Sequence, residues 1–261
     1  MAAVEKNTTN SQDRLAVLID ADNGQSAVAD ALLMEVARYG TATIKRAYGD
    51  WTTQNLQGWK EVLHRMAVQP VQQFRYTTGK NATDSALIID AMDVLHSGRV
   101  DGFCIVSSDS DFTRLATRIR EAGLVVYGFG ERKTPEPFVA ACNKFIYTEI
   151  LRDKPEEQKP TEPQPPLPKL KPMVLAAIGA TAREDGWASL SAVGSQLNRN
   201  HPSFDPRNYE CDKLGELMRK QTYLELKEVP AAEGSGTVYL YVRRRQSAGL
   251  ALAEKLASDP K

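Results

Sequence analysis

Cysteine is scarce in this chain: Cys104, Cys142 and Cys211 are the three present, and they lie far apart. They form no CxxC pair and no Cys/His zinc pattern. Cys104 sits in an apolar run and reads as a small buried hydrophobe, so a reducing, cytoplasmic compartment is expected. Net charge is missing as well, since Lys+Arg 33 and Asp+Glu 33 cancel to +0. The chain as a whole is therefore no polyanion binder, although a local basic face is enough for nucleic acid. No apolar run approaches the roughly 20 residues of a membrane helix, which excludes a helical span from the expectations. The stretch 1–12 is polar and lacks the apolar segment of a secretory leader. Histidine is rare too. His64, His96 and His201 stand apart from one another, and no Ser/His/Asp or Cys/His nucleophile arrangement is visible.

What is present is acid, in three places. Leu18-Ile19-Asp20-Ala21-Asp22-Asn23 closes one apolar run, and Ser107-Ser108-Asp109-Ser110-Asp111-Phe112 closes another. Thr83-Asp84 opens a helix-like segment. Carboxylates brought close together repel one another unless a cation sits among them. The pattern therefore points to a divalent metal and phosphate chemistry. In an extended segment Asp20 and Asp22 share a face, and Asn23 can supply a neutral oxygen ligand or orient a phosphate. Asp109 and Asp111 repeat that spacing and also suit a helix N-terminus. Ser107 and Ser108 are candidate hydroxyl donors to a phosphate. Asp84 reads as a ligand through its partnership with the other two clusters. Asp90 and Asp93 read as solvated or structural, and Asp50 as a minor candidate. Among the basic residues Lys45, Arg46, Arg75, Lys80, Arg114, Arg132 and Lys133, the two nearest a site acid in sequence are Lys80 and Arg114. Tyr48, Trp51, Tyr76 and Phe129 are candidate base-stacking rings. Gly79-Lys80 has the end of a P-loop but Phe74 stands where its first glycine belongs, and Gly128-Phe129-Gly130 lacks the third glycine of a dinucleotide fingerprint.

Apolar runs at 15–19, 41–48, 71–76, 102–106 and 124–129 alternate with helical spacing at 26–39, 56–66, 84–95 and 111–122. Strand–helix alternation predicts a parallel sheet with helices on both faces, and sites in such sheets lie beyond the strands' carboxyl ends. The expected boundaries are a tail over 1–13, an α/β domain over 14–150, a proline-rich linker over 151–168, a small domain over 169–244 and a charged tail over 245–261. The linker cannot form a core, because proline fixes φ and removes donors. The small domain reads as three helices followed by a hairpin around Gly234-Ser235-Gly236, a winged-helix pattern.

The stretches LIDADN at 18–23, RAYGDW at 46–51, PVQQFRYTTGKNATDSALIIDAMD at 70–93, VDGFCIVSSDSDF at 100–112 and KTPEPFVAACNKFIY at 133–147 resemble the NYN family, a branch of the PIN-like ribonuclease superfamily. The resemblance runs from about Arg14 to Glu149. It implies a Rossmann-like α/β domain that binds Mg²⁺ or Mn²⁺ and hydrolyses RNA. It maps Asp20, Asp84 and Asp109 to the catalytic, metal-binding core, with Asp111 as a further ligand and Asp22 and Asn23 as auxiliary positions. The small domain resembles OST-HTH (LOTUS) domains through Trp187-Ala188-Ser189-Leu190, Val193-Gly194-Ser195-Gln196-Leu197, Phe204-Asp205-Pro206, Tyr209 and Leu214-Gly215-Glu216-Leu217-Met218. That likeness implies an RNA- or protein-binding module beside a nuclease, acting on single-stranded or structured RNA. Two other readings stay open. The DxD at Asp20/Asp22 also suits a haloacid-dehalogenase-like phosphatase, although Asn23 and Gly24 depart from its usual Thr or Val. A non-catalytic RNA-binding adaptor would keep the fold without turnover.

Overall fold

The computed structural model describes residues 13–74, 82–152, 166–230 and 238–245. The chain divides into two compact units, Met1–Pro165 and Pro166–Lys261. In the first unit the strands are β1 (Arg14–Asp20), β2 (Thr41–Gly49), β3 (Gln69–Gln72), β4 (Gly102–Val106), β5 (Val125–Gly130) and β6 (Lys144–Tyr147). The helices are α1 (Ala29–Val36), α2 (Gln57–Arg65), α3 (Ala82–Ser97), α4 (Thr113–Glu121) and α5 (Glu136–Ala141). All six strands are parallel, in the order β3-β2-β1-β4-β5-β6.

β1 shows why the sheet is buried on both faces. Its run Leu15 to Ile19 is apolar without interruption, as a central parallel strand requires. Alternate residues go to opposite cores. Ala16 and Leu18 pack with Leu87 and Ala91 of α3, Leu115 and Ile119 of α4 and Phe138 of α5. Leu15, Val17 and Ile19 pack with Leu32 and Val36 of α1 and with Trp59 and Leu63 of α2. α4 stops at Gly123, whose φ of +86° is the left-handed turn that glycine enters without strain.

The order of the strands places the site. The chain steps outward from β1 to β2 to β3, then returns through α3 to lay β4 on the other side of β1. The reversal falls between β1 and β4, where a crevice opens at the carboxyl ends. Asp20 ends β1, and Ser107 follows β4 at once.

Some elements differ from the sequence expectation. The third strand is Gln69–Gln72, so it starts before the expected 71 and stops short of 73, because its partner β2 ends at Gly49, which pairs with Gln72, while residues 75 and 76 of the expected run lie outside the described residues. Beyond that pair β2 offers no further residue to hydrogen-bond. β3 is an edge strand, which is where Pro70 is tolerated. The helices expected from 26, 56 and 111 begin with 3-10 turns over Ser26–Val28, Gln54–Leu56 and Ser110–Phe112 before the α-helical part.

The second unit contains α6 (Leu170–Thr181), β7 (Ala188–Ser189), α7 (Leu190–Asn200), α8 (Leu214–Arg219), β8 (Leu224–Pro230) and β9 (Val238–Arg244). The strands form an antiparallel sheet in the order β7-β9-β8. Its core joins Val174 and Ile178 of α6, Val193 and Leu197 of α7, Leu217 and Met218 of α8, and Leu224 and Val242 of the hairpin. The Gly234–Gly236 turn expected from sequence lies outside the described residues.

Candidate metal centre

Asp20 is fully buried, yet its carboxylate is well supplied with donors. Oδ2 accepts from the Ser107 hydroxyl at 2.8 Å and from the Asn23 amide nitrogen at 2.9 Å, and Oδ1 accepts from the Asn23 backbone N–H at 3.3 Å. Burial pushes the Asp20 carboxyl above its ordinary value, the bonds from Asn23 and Ser107 pull it back, and the charge of Asp22 pushes it up again. Asn23 thus turns its amide nitrogen to Asp20, where the sequence reading gave it a phosphate or a ligand oxygen to handle. Residues 21–24 form a turn directly after β1, so Asp20 and Asp22 do not share an extended face. Asp22 instead accepts from the hydroxyl of Thr83 at 2.8 Å. Thr83 lies inside the first turn of α3, which begins at Ala82, and so does not serve as its N-cap.

Ser107 links two of the acidic segments. Its hydroxyl donates to Asp20 and accepts the Asp109 backbone N–H at 3.1 Å. Asp109 caps the following 3-10 turn through the Asp111 N–H at 2.9 Å. Ser108 accepts the backbone N–H of Glu131 at 2.9 Å, which ties this loop to the end of β5. The loop runs close to β5 there. A Cβ on Gly130 would lie 2.6 Å from the Ser107 carbonyl oxygen, so only glycine fits.

Oxygens of Asp84, Asp109 and Asp111 all lie within 4.8 Å of one another. Among the described residues Asp20 is not part of that group, although its charge reaches Asp84. The Asp84 carboxyl is pushed up to about 6, first by burial and then by the charges of Asp20, Asp109, Asp111 and Asp22. Five aspartates therefore share one electrostatic environment. Every donor in the group is a carboxylate oxygen, the choice of hard cations such as Mg²⁺ and Mn²⁺. Octahedral coordination at about 2.1 Å needs ligand oxygens roughly 3–4 Å apart, a spacing that a cluster of this size meets with little movement.

Arg114 stands exposed on the first turn of α4. Lys80, with Arg75 and Tyr76, lies outside the described residues. Asp90, read from sequence as solvated or structural, pairs with Arg46 and accepts from the Tyr48 hydroxyl. Tyr48 and Phe129 are core side chains at 0% exposure and cannot stack a base. Trp51 donates its indole N–H to the Val71 carbonyl at 3.0 Å, and Lys45 caps the Met66 carbonyl at 2.6 Å. Asp50 organises its own turn, accepting from Thr52 Oγ1 at 2.6 Å and Gln72 Nε2 at 2.9 Å. Sequence reasoning missed the Thr83–Asp22 bond and the Arg46–Asp90–Tyr48 cluster. No local pattern signals a contact between residues more than 40 positions apart. All three cysteines are free and buried, and burial pushes the Cys104 and Cys142 thiols up, as inert packing residues require.

A parallel sheet carrying acids at its crevice is the fold of PIN-like α/β domains. The chain belongs to the NYN family: the NYN domain model matches residues 14–151, and the OST-HTH/LOTUS domain model matches residues 165–235. NYN domains fall within the nuclease superfamily, and the two domains together support a ribonuclease-type or RNA-binding role. No curated protein matches the chain. Three solved structures resemble parts of it. A protein of unknown function from Vibrio parahaemolyticus is 17% identical, with 53% of this chain and 94% of that one covered and a TM-score of 0.46. A protein from Chromobacterium violaceum is 39% identical over 31% of this chain and 84% of that one, with a TM-score of 0.25. An uncharacterized protein from Nitrosomonas europaea is 29% identical over 37% of this chain and 90% of that one, with a TM-score of 0.28. Among the described residues no helix is long and apolar enough to cross a membrane.

Proposed function

We propose that the protein is a divalent-metal-dependent endoribonuclease that hydrolyses RNA phosphodiester bonds to 5′-phosphate and 3′-hydroxyl ends. The observation that carries this reading is the convergence of Asp84, Asp109 and Asp111 within 4.8 Å, with Asp20 and Asp22 close enough to raise the Asp84 carboxyl. Asp84, Asp109 and Asp111 would hold Mg²⁺ or Mn²⁺, and Asp20 adds its charge from the floor of the crevice. When bound, the cation supplies a lowered pKa for water and stabilisation of charge on the phosphate. Ser107 and Asn23 hold Asp20 in one orientation, and Ser107 also fixes the start of the Asp109 loop. Arg114 and Lys80 are proposed to bind RNA phosphates. The OST-HTH domain supplies a second attachment, to RNA or to a protein partner. The burial of Asp20 disfavours the phosphatase reading, since a nucleophilic aspartate needs an oxygen open to substrate.

The test is cleavage of single-stranded and structured RNAs by metal-stripped protein, with and without Mg²⁺ or Mn²⁺. Metal should restore cutting. Asp20→Asn and Asp109→Asn should abolish it with circular dichroism unchanged. Ser107→Ala should lose roughly 10–100-fold, the range typical of partners that orient a metal site. Binding of RNA without turnover under every metal would make the protein a non-catalytic adaptor.

A further inference from the structure

In β9, Val242 is buried in the core and Leu240 leans toward Gly215 of α8. Tyr239, Tyr241 and Arg243 therefore face away from the helices, opposite Val229, Lys227 and Glu225 of β8. Trp187, just before β7, joins this outer face. The Arg243 guanidinium lies 4.5 Å from the Trp187 ring centroid and the Lys227 ammonium 5.8 Å from it. Arg183 lies 5.8 Å from the Tyr241 ring centroid. Tyr239 is 55% exposed, so its ring is open to a partner.

We propose that this outer sheet face is a stacking platform for the unpaired bases of single-stranded RNA. The proposal rests on the reading that RNA is the protein's substrate, and it assigns the attachment surface of the second unit. An exposed ring such as Tyr239 meets the π-face of any base, and the cations held over the neighbouring rings meet the backbone phosphates. The charge balance favours a polyanion. Arg183, Lys227 and Arg243 stand on the face, while Glu225, their carboxylate neighbour in the register, is engaged by Arg243 at 2.9 Å. Asp185, in the adjoining loop, is turned to the Trp187 backbone N–H at 3.1 Å. The cation–π contacts hold Arg243 and Lys227 over the Trp187 ring and Arg183 over the Tyr241 ring, which leaves Tyr239 as the ring with no cation over it among the described residues, and a base that stacks there meets cations already ordered for its phosphates.

The experiment measures fluorescence anisotropy of a labelled mixed-sequence oligoribonucleotide with the full chain in EDTA, where no metal-dependent cutting occurs. The same strand as a duplex and as an abasic backbone are the comparisons. The single strand should bind about tenfold or more tighter than either, because only it offers free base faces. Tyr239→Ala and Tyr241→Ala should each weaken it by about tenfold, and Tyr239→Phe should not, since stacking needs the ring and not the hydroxyl. Lys227→Ala should lower the slope of log affinity against log salt by about 0.7, the loss of one phosphate contact on a single strand. Single-strand binding left unchanged in a folded Tyr239→Ala, Tyr241→Ala double variant would overturn the proposal and leave the face to a protein partner. Abasic backbone bound as well as RNA would overturn it too. The nuclease reading is scored separately. RNA left uncut in Mg²⁺ or Mn²⁺, with binding in EDTA that still depends on Tyr239, sinks the nuclease and keeps the platform.

Discussion

Asp84 is the residue on which site charge and stability meet. Its carboxyl rises from 3.8 to about 6 in the folded protein. A group whose folded value lies above its unfolded one binds its proton more tightly in the fold, so stability falls as pH rises from 3.8 to about 6 and is level beyond. Metal-free Asp84→Asn should therefore be more stable than the parent at pH 7, by about 1–2 kcal/mol after allowance for solvent screening. The gap should close near pH 4, and Mg²⁺ or Mn²⁺ should stabilise the parent more than the variant. Thermal melts across pH, with and without metal, check both, and a variant less stable at pH 7 without metal would contradict the repulsion argument. The acids themselves were legible in the sequence, because carboxylates that close apolar runs stand out by pattern. Their partners were not. Ser107, a candidate phosphate donor by sequence, instead holds Asp20, and Thr83, which by sequence only opens a helix, holds Asp22. Hydroxyls have too many uses for sequence to choose among them.

At the scale of elements, β4 was legible to the residue, since 102–106 is a short apolar run bounded by polar residues. The edge strand β3 was not, because its extent follows from where β2 stops pairing rather than from its own composition. Helix α3 carries Asp84 and must be anchored to keep it in place. Leu87, at 0% exposure and one turn along, packs against the β1 face of the core. Leu87→Ala should cost about 2–5 kcal/mol by leaving a cavity, and should weaken metal response along with stability. Urea unfolding and a metal titration read the two effects. In the second unit Ser189 caps α7 by accepting the Ala192 N–H at 3.3 Å. Ser189→Ala should cost about 1 kcal/mol there. Hydrogen exchange should show faster amides in α7 and unchanged ones in β1 and β4.

At the scale of the molecule, a proline-rich stretch separates an NYN domain from an OST-HTH domain. Tethering raises the local concentration of any RNA that the second unit holds. A protease site placed within 153–165 and then cut should raise KM for long RNA and leave kcat on a short one unchanged. Equal KM before and after cutting would show that the units act apart. Composition, apolar periodicity and acid placement were enough to determine the α/β class, the two-part organisation and the acids worth testing, because these depend on local pattern. The tertiary structure alone decided that β1 and β4 are neighbours at a reversal of strand order. It also set Asp84, from a helix between distant strands, beside Asp109 and Asp111. It buried Tyr48 and Phe129 and put Trp187 against Arg243. Those are contacts across long stretches of chain, fixed by how layers pack, and no spacing within a segment carries them.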